Sequence, residues 1–150
     1  MSQSLAKILV HIVFSTKNRA PVIDSNIRPQ LYAAMAGIVN DHDSHALRVG
    51  GTADHVHLAV DLGRTIQLAE LVKILKRSSN RWLRAKSGRF ENFHWQAGYG
   101  AFSIARSQLD QLIHYIDQQE EHHRVRTFKE EYLDLLAKYK LEPDERYLWE

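Results

Sequence analysis

A chain of 150 residues, 44% hydrophobic and 25% charged, has the makings of one soluble globular domain with a proper core. The absence of cysteine excludes a disulfide framework and any thiolate metal site, and a formal charge of +2 gives only weak support to a nucleic-acid partner. No stretch nears the roughly 20 apolar residues of a membrane span, and Met1 to Lys7 hold no signal-like apolar run. A cytoplasmic protein with no membrane partner is therefore expected.

Along the chain, Ala6, Ile8, Val10, Ile12 and Phe14 alternate with Lys7, Leu9, His11 and Val13, the pattern of a strand covered at least partly on both faces. Ser15 to Pro21 is a loop carrying Lys17 and Arg19. Asp24 or Ser25 can cap a helix over about 27–40, whose stripe is Leu31, Ala34, Met35 and Ile38. Two short strands follow, over about 45–49 and 55–62. The turn between them holds Gly50 and Gly51, which suit a hairpin needing positive φ. A second helix over about 66–86, with Thr65 as its cap, buries Leu68, Leu71, Val72, Leu75 and Trp82. Its other side carries Lys73, Lys76, Arg77, Arg81 and Arg84. A fourth strand is expected over about 94–104 and a third helix over about 107–121, with the stripe Leu109, Leu112, Ile113 and Ile116. An amphipathic helix over 128–139 precedes Pro143 and a polar tail with Tyr147 and Trp149.

Up to Ile104 the order is strand, helix, strand, strand, helix, strand. That is the α+β, ferredoxin-like (RRM-like) βαββαβ arrangement, an antiparallel sheet with two helices on one face. Val56, Leu58 and Val60 would face those helices. His55, His57, Ala59 and Asp61 would face the other way, where the third helix is the available cover. The expectation is one domain over 1–150, with a core over about 5–104, the third helix over about 107–121 and a C-terminal extension over about 127–150.

Two details carry chemistry. His55 and His57 are alternate residues of a strand, so both imidazoles can grip one cation. Tyr115 and Gln119 are four apart and share a helix face, with His122 near them. Each is weak alone. Nine histidines give roughly 0.5 such pairs by chance, and a tyrosine flanking an apolar stripe is ordinarily a rim residue with a wet hydroxyl. His114 points away as a surface residue. His11, His122 and His123 are candidate neighbours of the site but not ligands.

Five blocks match a known family in order: His11-Ile12-Val13-Phe14-Ser15-Thr16-Lys17, Asp54-His55-Val56-His57-Leu58, Leu75-Lys76-Arg77-Ser78-Ser79, Trp95 to Ser103, and Tyr115 to His123. Through them the chain resembles the single-tyrosine transposases of the HUH superfamily, the IS200-like and REP-associated tyrosine transposases. It departs from the family at Asp117 or Gln118, where asparagine is usual. The resemblance implies His55 and His57 as a metal pair, Gln119 as the third protein ligand and Tyr115 as nucleophile. It also implies magnesium or manganese as the divalent cation, single-stranded DNA with hairpin ends as substrate, and a homodimer in which active sites can be composite.

The implied reaction is in-line attack of the Tyr115 oxygen on phosphorus, giving a 5′-phosphotyrosine and a free 3′ hydroxyl that can later rejoin strands. A free phenol costs about 4 kcal/mol to ionise at neutral pH, and a divalent cation offsets part of that. Lys17, Arg19, Lys73, Lys76, Arg77, Arg81 and Arg84 are candidate phosphate contacts. Trp95 and Tyr99 could stack on unpaired bases, or serve as packing. Two alternatives compete: a domesticated relative that nicks hairpins, and a ferredoxin-like nucleic-acid-binding module without chemistry.

Overall fold

A computed structural model describes residues 2–123 and 125–150. The elements are β1 (Leu9–Ser15), α1 (Arg28–Asn40), β2 (His45–Gly51), β3 (His55–Asp61), α2 (Leu68–Lys86), β4 (Gly100–Ser103), α3 (Leu109–Asp117), α4 (Gln119–His122) and α5 (Phe128–Lys138). The strands form one antiparallel sheet in the order β2-β3-β1-β4, so the ferredoxin-like βαββαβ fold is the one the alternation announced. Among the described residues, no helix is long and apolar enough to cross a membrane.

The two faces of the sheet separate as the period of two requires. Val10, Ile12 and Phe14 of β1 and Val56, Leu58 and Val60 of β3 are buried in one cluster with Leu31, Met35 and Val39 of α1 and Leu71, Val72, Leu75 and Leu83 of α2. The opposite face is covered twice. Leu9 and Ala59 pack with Leu109, Leu112 and Ile116 of α3, while Val13 and Phe102 pack with Phe128, Tyr132 and Leu136 of α5. Sequence reasoning assigned this cover to the third helix alone; α5 supplies the other half.

Three boundaries differ from the sequence expectation, each for a local reason. The fourth strand is only Gly100–Ser103, with an isolated bridge from Trp95 to Thr16. The carbonyls of Gln96, Ala97 and Gly98 turn instead to the Lys76 ammonium, which takes them out of any ladder. The third helix breaks at Gln118, whose φ of −97° and ψ of 16° are not helical, and resumes as α4. Thr65 does not cap α2; its hydroxyl and N–H both donate to Asp43, and Gln67 stands at the N-cap position.

Gly50 also works differently from the expectation. It lies within β2, opposite His57, and what it provides is room. A Cβ there would stand 2.7 Å from Ile116 Cγ2 and 2.9 Å from the Ile116 carbonyl oxygen, so α3 reaches the sheet only because that side chain is missing. Gly50→Ala should therefore destabilise the protein by about 1–3 kcal/mol in urea unfolding. Gly37→Ala on α1, where nothing lies within 4 Å of the new Cβ, should instead stabilise it by about 0.5–1 kcal/mol. Equal losses in both variants would remove the close-approach argument.

Candidate metal and tyrosine centre

The register of β1 against β3 sets the site. Val13 pairs with His57 and Ser15 with His55, while His11 lies opposite Ala59, so His11, His55 and His57 share the face covered by α3 and α5. The two β3 histidines have no solvent exposure. Tyr115 enters from α3 and Gln119 from the first residue of α4. The break at Gln118 does not separate them, because the Gln119 side-chain amide still donates to the Tyr115 carbonyl at 3.4 Å.

A residue that sequence reasoning did not single out sits at the centre. Glu131 of α5 is 3% exposed and divides its two oxygens between two sets of partners. Its Oε1 lies 3.0 Å from His57 Nε2, 3.6 Å from His55 Nε2 and 3.3 Å from His123 Nε2, the last an ionic contact without hydrogen-bond alignment. Its Oε2 accepts a short hydrogen bond from the Tyr115 hydroxyl and another, at 3.2 Å, from the Gln119 amide. The local cause is visible in α5. Thr127 caps the helix by accepting from the Glu130 N–H at 3.2 Å, and residues 128, 131, 132 and 136 then fall on the buried stripe. A glutamate inside an apolar stripe is a signal that could have been read, since lone carboxylates are rarely buried without partners.

Hydrogen bonding fixes how each imidazole presents itself. His55 Nδ1 donates to Asp54 Oδ1 at 2.8 Å, so any lone pair the ring presents is on Nε2. That nitrogen meets Gln119 Oε1, another acceptor, at 2.8 Å. Two lone pairs facing each other ask for a proton or a cation. His57 Nε2 is 3.0 Å from Glu131, and its Nδ1 is 2.7 Å from His11 Nε2. When His57 Nε2 carries the hydrogen, it donates to Glu131 while Nδ1 accepts from His11. When Nε2 is the ligand, the hydrogen moves to Nδ1 and His11 becomes the acceptor. His11 can serve either tautomer, the role a carboxylate or carbonyl usually fills behind a ligating histidine. Ligand atoms of His55, His57 and Glu131 all lie within 4.8 Å of one another, and together these three offer two nitrogens and a carboxylate oxygen for one ion.

Electrostatics follow burial. Burial alone would push the Glu131 carboxyl up, but the His123 and His57 imidazoles and the Tyr115 hydroxyl outweigh it and hold the group well below its usual range. Burial, reinforced by the Glu131 charge, raises the Tyr115 phenol well above its ordinary value. Burial also lowers His11 well below its usual value and draws His57 down to about 4, against the pull of Glu131.

The candidate phosphate contacts fare unequally. Lys73, Arg77 and Arg81 are exposed on α2, and Lys17 is exposed on the turn after β1. Arg84 donates to the Phe93 carbonyl at 3.0 Å, and Arg19 is half-buried with its guanidinium 4.9 Å above the Trp149 ring. Lys76 is committed to three loop carbonyls, and burial lowers its ammonium to about 8. Trp95 is buried in the core and donates its indole N–H to Ser79 at 2.9 Å, so of the two roles open to it, stacking or packing, it takes packing.

A family model described as "Transposase IS200 like" matches residues 4–119. The chain is similar to a crystal structure of a candidate transposase from Deinococcus radiodurans R1, with 20% identity and a TM-score of 0.62 over 79% of this chain and 98% of that one. It is also similar to a REP-associated tyrosine transposase bound to a REP hairpin, with 16% identity and a TM-score of 0.58 over 82% of this chain and 74% of the other. At these identities the two structures speak to the fold. No curated protein matches the chain. The matched segment ends at Gln119, so α5 and Glu131 lie beyond it.

The neutral His57 gives a pH signature. Its unfolded value is 6.5 and its folded value about 4, so the unfolded chain takes up this proton first as pH falls. Stability from this residue is complete above about pH 6.5 and is lost toward about pH 4, on the order of 3 kcal/mol for His57 alone. Urea unfolding of chelator-treated protein across that window should record the fall, and His57→Gln should shrink it. An undiminished fall in the variant would assign the pH dependence to other groups.

Proposed function

The chain belongs to the IS200-like transposase family, and from that premise we infer a DNA transposase that nicks and rejoins single-stranded DNA through Tyr115. The observation that carries this reading is the meeting of the Tyr115 hydroxyl, the Gln119 amide and the His55–His57 pair around one carboxylate. We read the whole chain, 1–150, as one transposase domain acting on DNA with hairpin ends. A homodimer is part of this reading.

The donors fit a divalent cation, magnesium or manganese. His55 Nε2, His57 Nε2 and the Gln119 and Glu131 oxygens would hold it, and the opposed lone pairs of His55 and Gln119 support this. When bound, such an ion draws electron density from a phosphate oxygen. The chain's own residues do the rest. Glu131 Oε2 already accepts the Tyr115 hydrogen bond, so it is the atom positioned to take the phenolic proton as the Tyr115 oxygen attacks phosphorus. The new phosphorus–oxygen bond replaces the bond to the 3′ oxygen, which leaves as an alkoxide and takes a proton from solvent water to become the free 3′ hydroxyl. Asp54 and His11 keep the two histidines oriented from behind. Lys73, Arg77 and Arg81, exposed on α2 and without a side-chain hydrogen bond among the described residues, serve as phosphate contacts together with Lys17, while Arg19, Lys76 and Arg84 contribute with their charges partly engaged in the protein.

A denaturing gel of the protein with labelled single-stranded DNA carrying its flanking hairpin, in manganese, tests the nucleophile. A covalent adduct should form with the unaltered chain and fall below detection with Tyr115→Phe, while hairpin binding persists. His57→Ala should weaken cleavage and its manganese dependence together. Adduct formation undiminished by Tyr115→Phe would move the nucleophile elsewhere. Salt titration of hairpin binding tests the second surface: Arg77→Ala and Arg81→Ala should each reduce the log–log slope by about 1. Lys76→Gln should instead act mainly by lowering stability, and a full slope change there would restore it as a free phosphate contact.

A further inference from the structure

A cavity of about 360 Å³ opens beside Tyr115, between α3 and α5. That is within the range of small-ligand sites, about 300–1,000 Å³. Leu112 and Leu135 give it apolar wall, and the Tyr139 ring lines it with its hydroxyl tethered to the Ser103 carbonyl at 3.1 Å. Gln111 contributes a side-chain amide that makes no hydrogen bond among the described residues, and Lys138 adds a cation at the exposed side. His11, Tyr115 and Glu131 also line it, as do Arg126 and Asp134, so the cavity adjoins the centre described above.

We propose that the cavity receives the nucleobase of a nucleotide adjoining the phosphodiester that Tyr115 attacks. The inference rests on the reading of Tyr115 as nucleophile, and it adds a site that reads the strand. A phosphodiester aligned with the Tyr115 oxygen has a nucleoside on each side. In single-stranded DNA the bases are unpaired and free to leave the stack. A flat base needs apolar surface for its faces, and Leu112, Leu135 and the Tyr139 ring offer it. Its edge needs groups that both donate and accept, and the free amide of Gln111 is such a group. Lys138 can meet the phosphate next along. Leu135, Lys138 and Tyr139 lie on or just after α5, beyond the segment matched by the family model.

The test is nucleotide binding, read apart from cleavage. The ¹⁵N-labelled full chain is titrated with each of the four 2′-deoxynucleoside 5′-monophosphates and with 2-deoxyribose 5-phosphate. Base-bearing ligands should shift the amides of Leu112, Tyr115 and Leu135 and the side-chain amide of Gln111. They should bind roughly tenfold more tightly than the sugar phosphate. Gln111→Ala, at an exposed position, should weaken nucleotides by roughly threefold to tenfold, leave the sugar phosphate unchanged and keep the melting temperature. Equal binding of the sugar phosphate, shifts confined to α2, or no shift in the cavity would overturn the proposal. Base binding without a DNA adduct would leave the cavity and remove the nucleophile; an adduct without base binding would do the reverse.

Discussion

A carboxylate taken out of water must be surrounded by donors, and Glu131 satisfies that constraint by drawing three parts of the chain together. Its Oε1 faces the imidazoles of β3 and His123, and its Oε2 takes the hydrogen bonds of Tyr115 and Gln119. Breaking such a buried arrangement by removing one partner typically costs about 3–5 kcal/mol, since the remaining charge is left uncompensated. The group therefore fixes α5 to β3 and to the α3–α4 junction. The apolar contacts of Phe128, Tyr132 and Leu136 with Val13 and Phe102 supply adhesion without direction. The carboxylate supplies the register.

The sheet makes this possible by being two different surfaces at once. One face of β1 and β3 is wholly aliphatic and aromatic against α1 and α2. The other alternates apolar residues with His11, His55 and His57. A slip of one residue between β1 and β3 would send the histidines into the aliphatic core, at a desolvation cost with no partner to offset it. The register that assembles the candidate site and the folding register are thus the same register. Gly50 belongs to this logic, because the backbone of α3 can lie close enough to bring Tyr115 over the histidines only where β2 has no side chain.

Much of this was legible in the sequence. The period of two in residues 6–14 and 55–61 gave the strands and their faces, and the His55-Val56-His57 spacing with Tyr115 and Gln119 one turn apart marked the residues that do converge. What escaped was of two kinds. Lys76 looks like one more cation in a basic stripe, and only the folded loop of 96–98 reveals that its ammonium is engaged. That same engagement shortened the fourth strand. Glu131 looks like one member of a Glu-Glu pair in a charged helix, and its histidine partners on β3 are 74 and 76 residues away in sequence, beyond any local pattern. The clue was its position on the buried stripe with Phe128 and Tyr132.

The charge on Glu131 also constrains how the tyrosine can work. A fixed negative charge beside a phenol opposes its ionisation, and the Tyr115 proton is accordingly held more tightly than in water. In the proposed reaction a divalent cation held by His55, His57 and Glu131 would oppose the field of that charge, and Glu131 Oε2 is the acceptor of the Tyr115 hydrogen bond. On the proposed reaction the same residue would hold the phenol protonated without the cation and receive its proton with it. That dual role needs the carboxylate to be shared between the histidines and the tyrosine, which is how its two oxygens are divided.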